Sequence, residues 1–289
     1  MSPSPFKFRT EYEPQSRRAI GRDTPILLLG SCFSDEIGSR LVRDGFHAVH
    51  NPTGPLFNPL SLAHTVSDAL KRREYDIADL TPGPRGMHCL AFASRYSGDD
   101  GHSVTQAVNT DLQKAIDLMS APGPKVLIAT FGTIYTFYLH GTVPVGNCHK
   151  FPASDFVRRP LELGQIVDMW QTIIDSISAD TRIIFTVSPV RHLADGFHGN
   201  AVSKATLLLA TDALVAANPD RCEYFPAFEI LNDDLRDYRF YAPDLKHPSD
   251  TAAEYIYTKF CETYFDSGTM ADAEAARRAA ARAAHRQII

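Results

Sequence analysis

Apolar runs punctuate the chain at intervals: ILLL at 26–29, KVLIATF at 125–131, RIIFTV at 182–187 and, more weakly, FHAVH at 46–50. The first three are apolar at successive positions, the pattern of a strand covered on both faces. Between them, apolar residues recur at helical spacing. The clearest case is Ser34 to Gly45, with Ile37, Leu41 and Val42 on one face. The same spacing predicts helices over Leu60 to Arg72, Val104 to Met119, Leu161 to Ala179, Ser203 to Asn218 and Pro248 to Phe265. Residues 1–24 read as an extended lead-in, the stretch up to about Gly101 as a polar, irregular connection, and Glu223 to Phe228 as a short edge strand. Buried strands alternating with helices predict an α/β fold, a three-layer α/β/α sandwich on a central parallel sheet.

The pattern breaks at residue 266. Residues 1–265 read as one domain, and 266–289 turn to Ala and Arg with little large apolar surface. That tail is a good helix former, expected as an exposed helix or a frayed end and as a route to a homo-oligomer.

Composition narrows the function classes. Hydrophobic residues make up 44% of the 289, enough for a sizeable core. The net charge of -5 and scattered basic residues give no electrostatic reason to expect nucleic acid. No apolar run approaches the roughly 20 residues of a membrane helix, and MSPSPFKFRTEYEP lacks the basic-then-apolar pattern of a leader, so a cytoplasmic location is expected. The five cysteines are odd in number and far apart, which argues against a disulfide framework. Cys148 and His149, even with His192 or His198, lack the spacing of a metal site; neither a metal nor a cofactor is expected.

In an open parallel sheet, ligands gather where strands end at their carboxyl edge. GSCF (30–33), NPTG (51–54), FGT (131–133) and SPVRH (188–192) follow the predicted strands, and DLKHPS (244–249) precedes the last helix. At the first, Gly30 allows a sharp turn, and the residues after it meet the free N–H groups of a helix start. Such a place lowers a thiol pKa and holds an oxyanion. The plainer reading makes Ser31 a cap and Cys32 a small buried hydrophobe. At the last, Asp244 and His247 supply a base and the carboxylate that orients it. Arg191 and His192 offer contacts to a substrate oxygen, or else Arg191 pairs with the acidic cluster Asp233, Asp234 and Asp237. Tyr135, Tyr138, Tyr238 and Tyr241 read either as pocket lining or as core.

Taken in order, ILLLGSCFSDEIG, NPTGPLFNPLSLA, FGTIY, VGNCHK, TVSPVRHL and FPAFEILNDDLRDYRFYAPDLKHPS resemble the GSCFA-domain family, grouped with the SGNH (GDSL-like) hydrolases of flavodoxin-like fold. The resemblance runs over roughly residues 5–265. It implies an esterase acting through an acyl-enzyme, with Cys32 at the nucleophile position, Ser31 as rival one residue earlier, and Asp244 and His247 completing the triad. It also implies that the Gly54 N–H helps hold the oxyanion. The third block departs from the superfamily's Gly-x-Asn-Asp, since Gly132 is followed by Thr133 and Ile134. Asn147, Asn51 and Thr133 are the candidates for the missing side-chain donor. The implied partner is a small-molecule or saccharide ester; the alternatives are an acyltransferase with the same triad and an inactive binding module.

Overall fold

The computed structural model describes residues 9–286 apart from 16, 18 and 85. The beginning of the lead-in (1–8) and the end of the tail (287–289) lie outside the described residues. In chain order the elements are β1 (Ile26–Gly30), α1 (Cys32–Arg43), β2 (Ala48–His50), α2 (Pro59–Leu70), β3 (Thr81–Gly83), β4 (Gly86–His88), β5 (Ser97–Gly98) and α3 (Gly101–Ser120). Next come β6 (Lys125–Phe131), β7 (Tyr135–Leu139), β8 (Val143–Val145), β9 (Phe156–Pro160), α4 (Leu163–Ser176), β10 (Thr181–Val187) and α5 (Gly196–Ala217). The chain closes with β11 (Cys222–Tyr224), α6 (Ala227–Glu229), α7 (Asp250–Tyr264) and α8 (Ser267–Arg286).

Five strands form one parallel sheet in the order β11-β10-β6-β1-β2. Side chains of a strand alternate between faces, and here both faces are covered. Leu27, Leu29, Leu127, Ala129, Phe131, Ile183 and Phe185 share one buried cluster with residues of α2, α3, α4 and α5. Ile26, Leu28, Val126, Ile128 and Ile184 share the other with Phe33, Ile37 and Leu41 of α1 and Ile256, Tyr257 and Phe260 of α7. Trp170 of α4 is fully buried between Phe131 and Phe185, its ring centre 5.1 and 5.4 Å from theirs. Each such side chain contributes on the order of 1.5–3 kcal/mol by leaving water. The three-layer α/β/α architecture expected from the periodicity is present.

Three departures from the sequence reading have physical causes. Two small antiparallel sheets, β3-β4-β5 and β8-β7-β9, occupy stretches read as irregular or left unassigned. Their strands are two to five residues long, and Phe137, Val143 and Val157 are exposed, so no apolar alternation marks them. Helix α5 begins at Gly196, before Ser203, because GFHGN carries glycines that obscure the periodicity. The tail is a helix but not a free one. Ala273 is buried in the second cluster, and Arg277 donates to the fully buried carboxylate of Asp44 at the end of α1.

Candidate active site

The carboxyl edge of the sheet collects the polar residues. β1 ends at Gly30, whose φ of 152° and contact with Thr130 exclude a side chain: a Cβ there would lie 2.5 Å from the Thr130 carbonyl oxygen. The chain can therefore turn at once into α1. Ser31 is the cap, its Oγ accepting from the Phe33 N–H at 3.3 Å. Ser31 is fully buried, and its hydroxyl is shared with that of Ser188, 2.9 Å away beyond β10. Cys32, the first residue of the helix, is half-buried instead.

From the other side comes the loop between Ala242 and Ser249, anchored by the Ala242 N–H on the His247 carbonyl and the Arg191 N–H on the Lys246 carbonyl. Within it Leu245 adopts φ of 58°, a left-handed conformation uncommon for a leucine. This tight turn lets one Asp244 oxygen accept the N–H groups of Lys246 (2.9 Å) and His247 (3.0 Å). The other oxygen takes the His247 Nδ1 at 2.6 Å. The two backbone donors, then the imidazole, hold the Asp244 carboxyl far below the usual carboxylate range. His247 Nε2 then lies 3.4 Å from Cys32 Sγ. A thiol, an imidazole and a carboxylate are thereby in line, and Ser31 is bonded elsewhere.

The electrostatics of the thiol differ from the expectation for a helix start. Burial pushes the Cys32 thiol up from its ordinary value; its own backbone N–H pulls the other way, and Asp35, Glu36 and Asp244 add to the rise. Desolvation therefore outweighs the helix terminus. The resting group is a thiol, with its proton available to His247.

Several expected site residues are committed to the scaffold. Asn51 accepts the Gly30 N–H at 2.9 Å and donates to the Ser31 carbonyl at 3.2 Å, so both ends of its amide brace the turn. The Gly54 N–H donates to the Asn51 carbonyl (2.8 Å) rather than pointing at a substrate. The N–H groups of Gly132 and Thr133 both go to the Phe57 carbonyl, and the Thr133 hydroxyl meets Ser203 and the Tyr135 N–H. Asn147, just after β8, has its N–H on the Leu90 carbonyl and its Oδ1 taking the His149 N–H.

Arg191 makes no carboxylate pair among the described residues. Its guanidinium stacks on Tyr241 (4.2 Å) and faces Tyr238 (5.4 Å). Asp234 is instead bonded by Arg9 and Tyr255. Arg191, Asn232, Arg236, Tyr238 and Tyr241 line a cleft of about 160 Å³ beside the Asp244–His247 loop. Tyr135 lies under the guanidinium of Arg158.

A residue that the sequence reading passed over sits behind the site. Lys204 of α5 is fully buried, and its Nζ donates at 2.7 Å to the carbonyls of Gly132 and Ser188, at the ends of β6 and β10. Among the described residues no carboxylate pairs with it, and burial lowers its pKa to about 7. A lysine inside an otherwise apolar helix was the available signal. His192 ends near the same place, with its Nε2 buried and without a hydrogen-bond partner among the described residues. Burial first, then the charge of Lys204, lowers its pKa to about 4.

Among known families, the GSCFA family model matches residues 25–260, from the start of β1 into α7. The chain belongs to the GSCFA family. No curated protein matches it. The GSCFA match takes in Cys32, Asp244 and His247 and stops before α8. No group of three or more His, Cys, Asp or Glu side chains among the described residues is placed to hold a metal ion. No helix among them is long and apolar enough to cross a membrane.

Proposed function

We propose that this GSCFA-family chain is an esterase of the SGNH type that works through a cysteine acyl-enzyme. The observation that carries the reading is the line from Cys32 Sγ to His247 Nε2 (3.4 Å) and from His247 Nδ1 to Asp244 (2.6 Å). His247 takes the thiol proton as sulfur attacks the ester carbonyl, and the carbonyl oxygen becomes an oxyanion. When that intermediate collapses, the C–O bond breaks and the alcohol leaves with the proton from His247. Water, deprotonated by His247, then adds to the thioester. Loss of sulfur releases the acid and restores the thiol. Asp244 keeps Nδ1 protonated and the ring oriented throughout. The Cys32 N–H, among the helix-start donors without an intrahelical acceptor, supports the oxyanion. The substrate proposed is a small ester such as an O-acetyl group on a saccharide, a choice that rests on resemblance to the superfamily.

Intact-mass measurement after brief exposure to p-nitrophenyl acetate tests the reading. A transient acetyl adduct is expected in wild type and Ser31→Ala, and in neither Cys32→Ala nor His247→Ala. An adduct surviving in Cys32→Ala would refute the assignment of the nucleophile.

A further inference from the structure

An oxyanion at Cys32 calls for more than one donor, because charge developing in a half-buried site is stabilised by preplaced N–H groups rather than by water. The hydrogen bonds of the strand ends show which groups are already taken. Both amide atoms of Asn51, the N–H groups of Gly54, Gly132 and Thr133 and the hydroxyl of Thr133 are committed to the scaffold. Asn147 is held after β8 by the Leu90 carbonyl on its N–H and the His149 N–H on its side-chain carbonyl.

His192 differs from all of these. Its backbone is fixed by the Asn200 side chain, which accepts the His192 N–H at 2.9 Å, while Nε2 is bonded to nothing among the described residues. A buried imidazole nitrogen left unpaired is costly and calls for an explanation. Its position supplies one. Gly132 carries no side chain, and a Cβ built there would lie 3.2 Å from His192 Nε2. The imidazole thus fills the place that a side chain after β6 would take. In the register of the sheet, Gly30 pairs with Thr130, so Cys32 and Gly132 stand at corresponding positions beyond neighbouring strands.

We propose that His192 is a catalytic residue of the esterase reaction proposed above, its Nε2–H serving as the side-chain donor to the substrate oxyanion in place of the asparagine missing after Gly132. The assignment rests on that reading of the triad. Burial holds the imidazole neutral across ordinary pH, and the charge of Lys204, whose Nζ donates to the Gly132 carbonyl, adds to this where the lysine is protonated. A neutral imidazole donates one hydrogen bond without competing with His247 for the thiol proton. The ring edge lies against Phe57, with centroids 6.0 Å apart, so reaching the oxyanion involves a small adjustment of that contact.

Two reactions of Cys32 separate this role from a structural one. Acylation by p-nitrophenyl acetate passes through an oxyanion, whereas alkylation by iodoacetamide displaces iodide and forms none. In His192→Ala the acylation rate is expected to fall about 100- to 1000-fold, with the rate and pH profile of alkylation unchanged. His192→Gln, which restores an N–H donor, is expected to recover part of the loss, and Asn147→Ala to leave both rates intact. Equal acylation by wild type and His192→Ala would overturn the assignment while leaving the triad reading in place. Parallel loss of both reactions in His192→Ala would also overturn it, as the mark of a structural role. A wild-type protein that is alkylated at Cys32 but never acylated would refute the esterase reading itself, and this assignment with it.

Discussion

The hydroxyls of Ser31 and Ser188 lie 2.9 Å apart, joining the ends of β1 and β10 across the strand between them. This bond turns Ser31 inward and leaves Cys32 to face His247. The two neighbours thus divide the work of the turn: the serine builds the helix start and the cysteine meets His247. Ser31→Ala is expected to lower unfolding free energy by about 1 kcal/mol through loss of the cap, while Cys32 keeps its reactivity. Urea denaturation and alkylation rates measured on the same variant check both halves. A variant of unchanged stability that no longer reacts at Cys32 would contradict this division.

The raised thiol pKa has a direct kinetic consequence. Alkylation of Cys32 in the free protein is expected to follow a titration with its midpoint above 9.0, the ordinary thiol value. Asp35→Asn should bring the midpoint down, since that carboxylate adds to the rise. A wild-type midpoint near neutrality would mean that the thiolate–imidazolium pair already exists at rest, contrary to the dominance of desolvation.

Lys204 carries a signature in stability against pH. Its folded pKa of about 7 lies below the 10.5 of an exposed lysine. Below pH 7 both states hold the proton, and the folded protein bears the whole cost of a buried cation. Between 7 and 10.5 the unfolded chain keeps a proton that the folded one has released, so stability arising from this group rises with pH. The difference in unfolding free energy between wild type and Lys204→Met should therefore move in favour of wild type across that window, by a few kcal/mol. Chemical denaturation of both proteins from pH 6 to 10 measures it. A constant difference would show that the lysine titrates normally.

The C-terminal helix is expected to be integral to stability. Arg277 reaches the fully buried Asp44, which Arg43 and the Tyr257 hydroxyl also bind. Burial works against the Asp44 charge, but these donors, Arg277 first among them, hold its pKa below the carboxylate range. Arg277→Ala leaves part of a buried charge unmatched and should cost about 1–3 kcal/mol at neutral pH. The loss should shrink only in strong acid, as pH falls through the lowered Asp44 pKa. A urea midpoint equal to that of wild type would place the helix outside the folded unit.

How far the sequence spoke depended on the range of the interactions. Strands buried on both faces announced themselves: β6 occupies Lys125–Phe131, as its apolar run predicts. Asp244 and His247, three residues apart, form their pair within one turn and were legible for that reason. The helix start was displaced, predicted at Ser34 and found at Cys32, because the cap depends on how Ser31 is turned. The donors were the least legible. Whether Asn51 or Gly54 is free depends on partners gathered around Gly30 and Ser31 by strand pairing, and nothing in NPTG reports that. Lys204 sits in a helix whose apolar sequence gives no hint of the two strand-end carbonyls it serves.

Cys32 and His247 are 215 residues apart in the chain. At a synthesis rate of about 5–20 residues per second, roughly 10 to 40 seconds separate the two on the ribosome. During that interval the cysteine lacks the His247 imidazole that would take its proton. Under the proposed mechanism the triad therefore exists only in the finished fold, once the loop before α7 has brought His247 to Cys32.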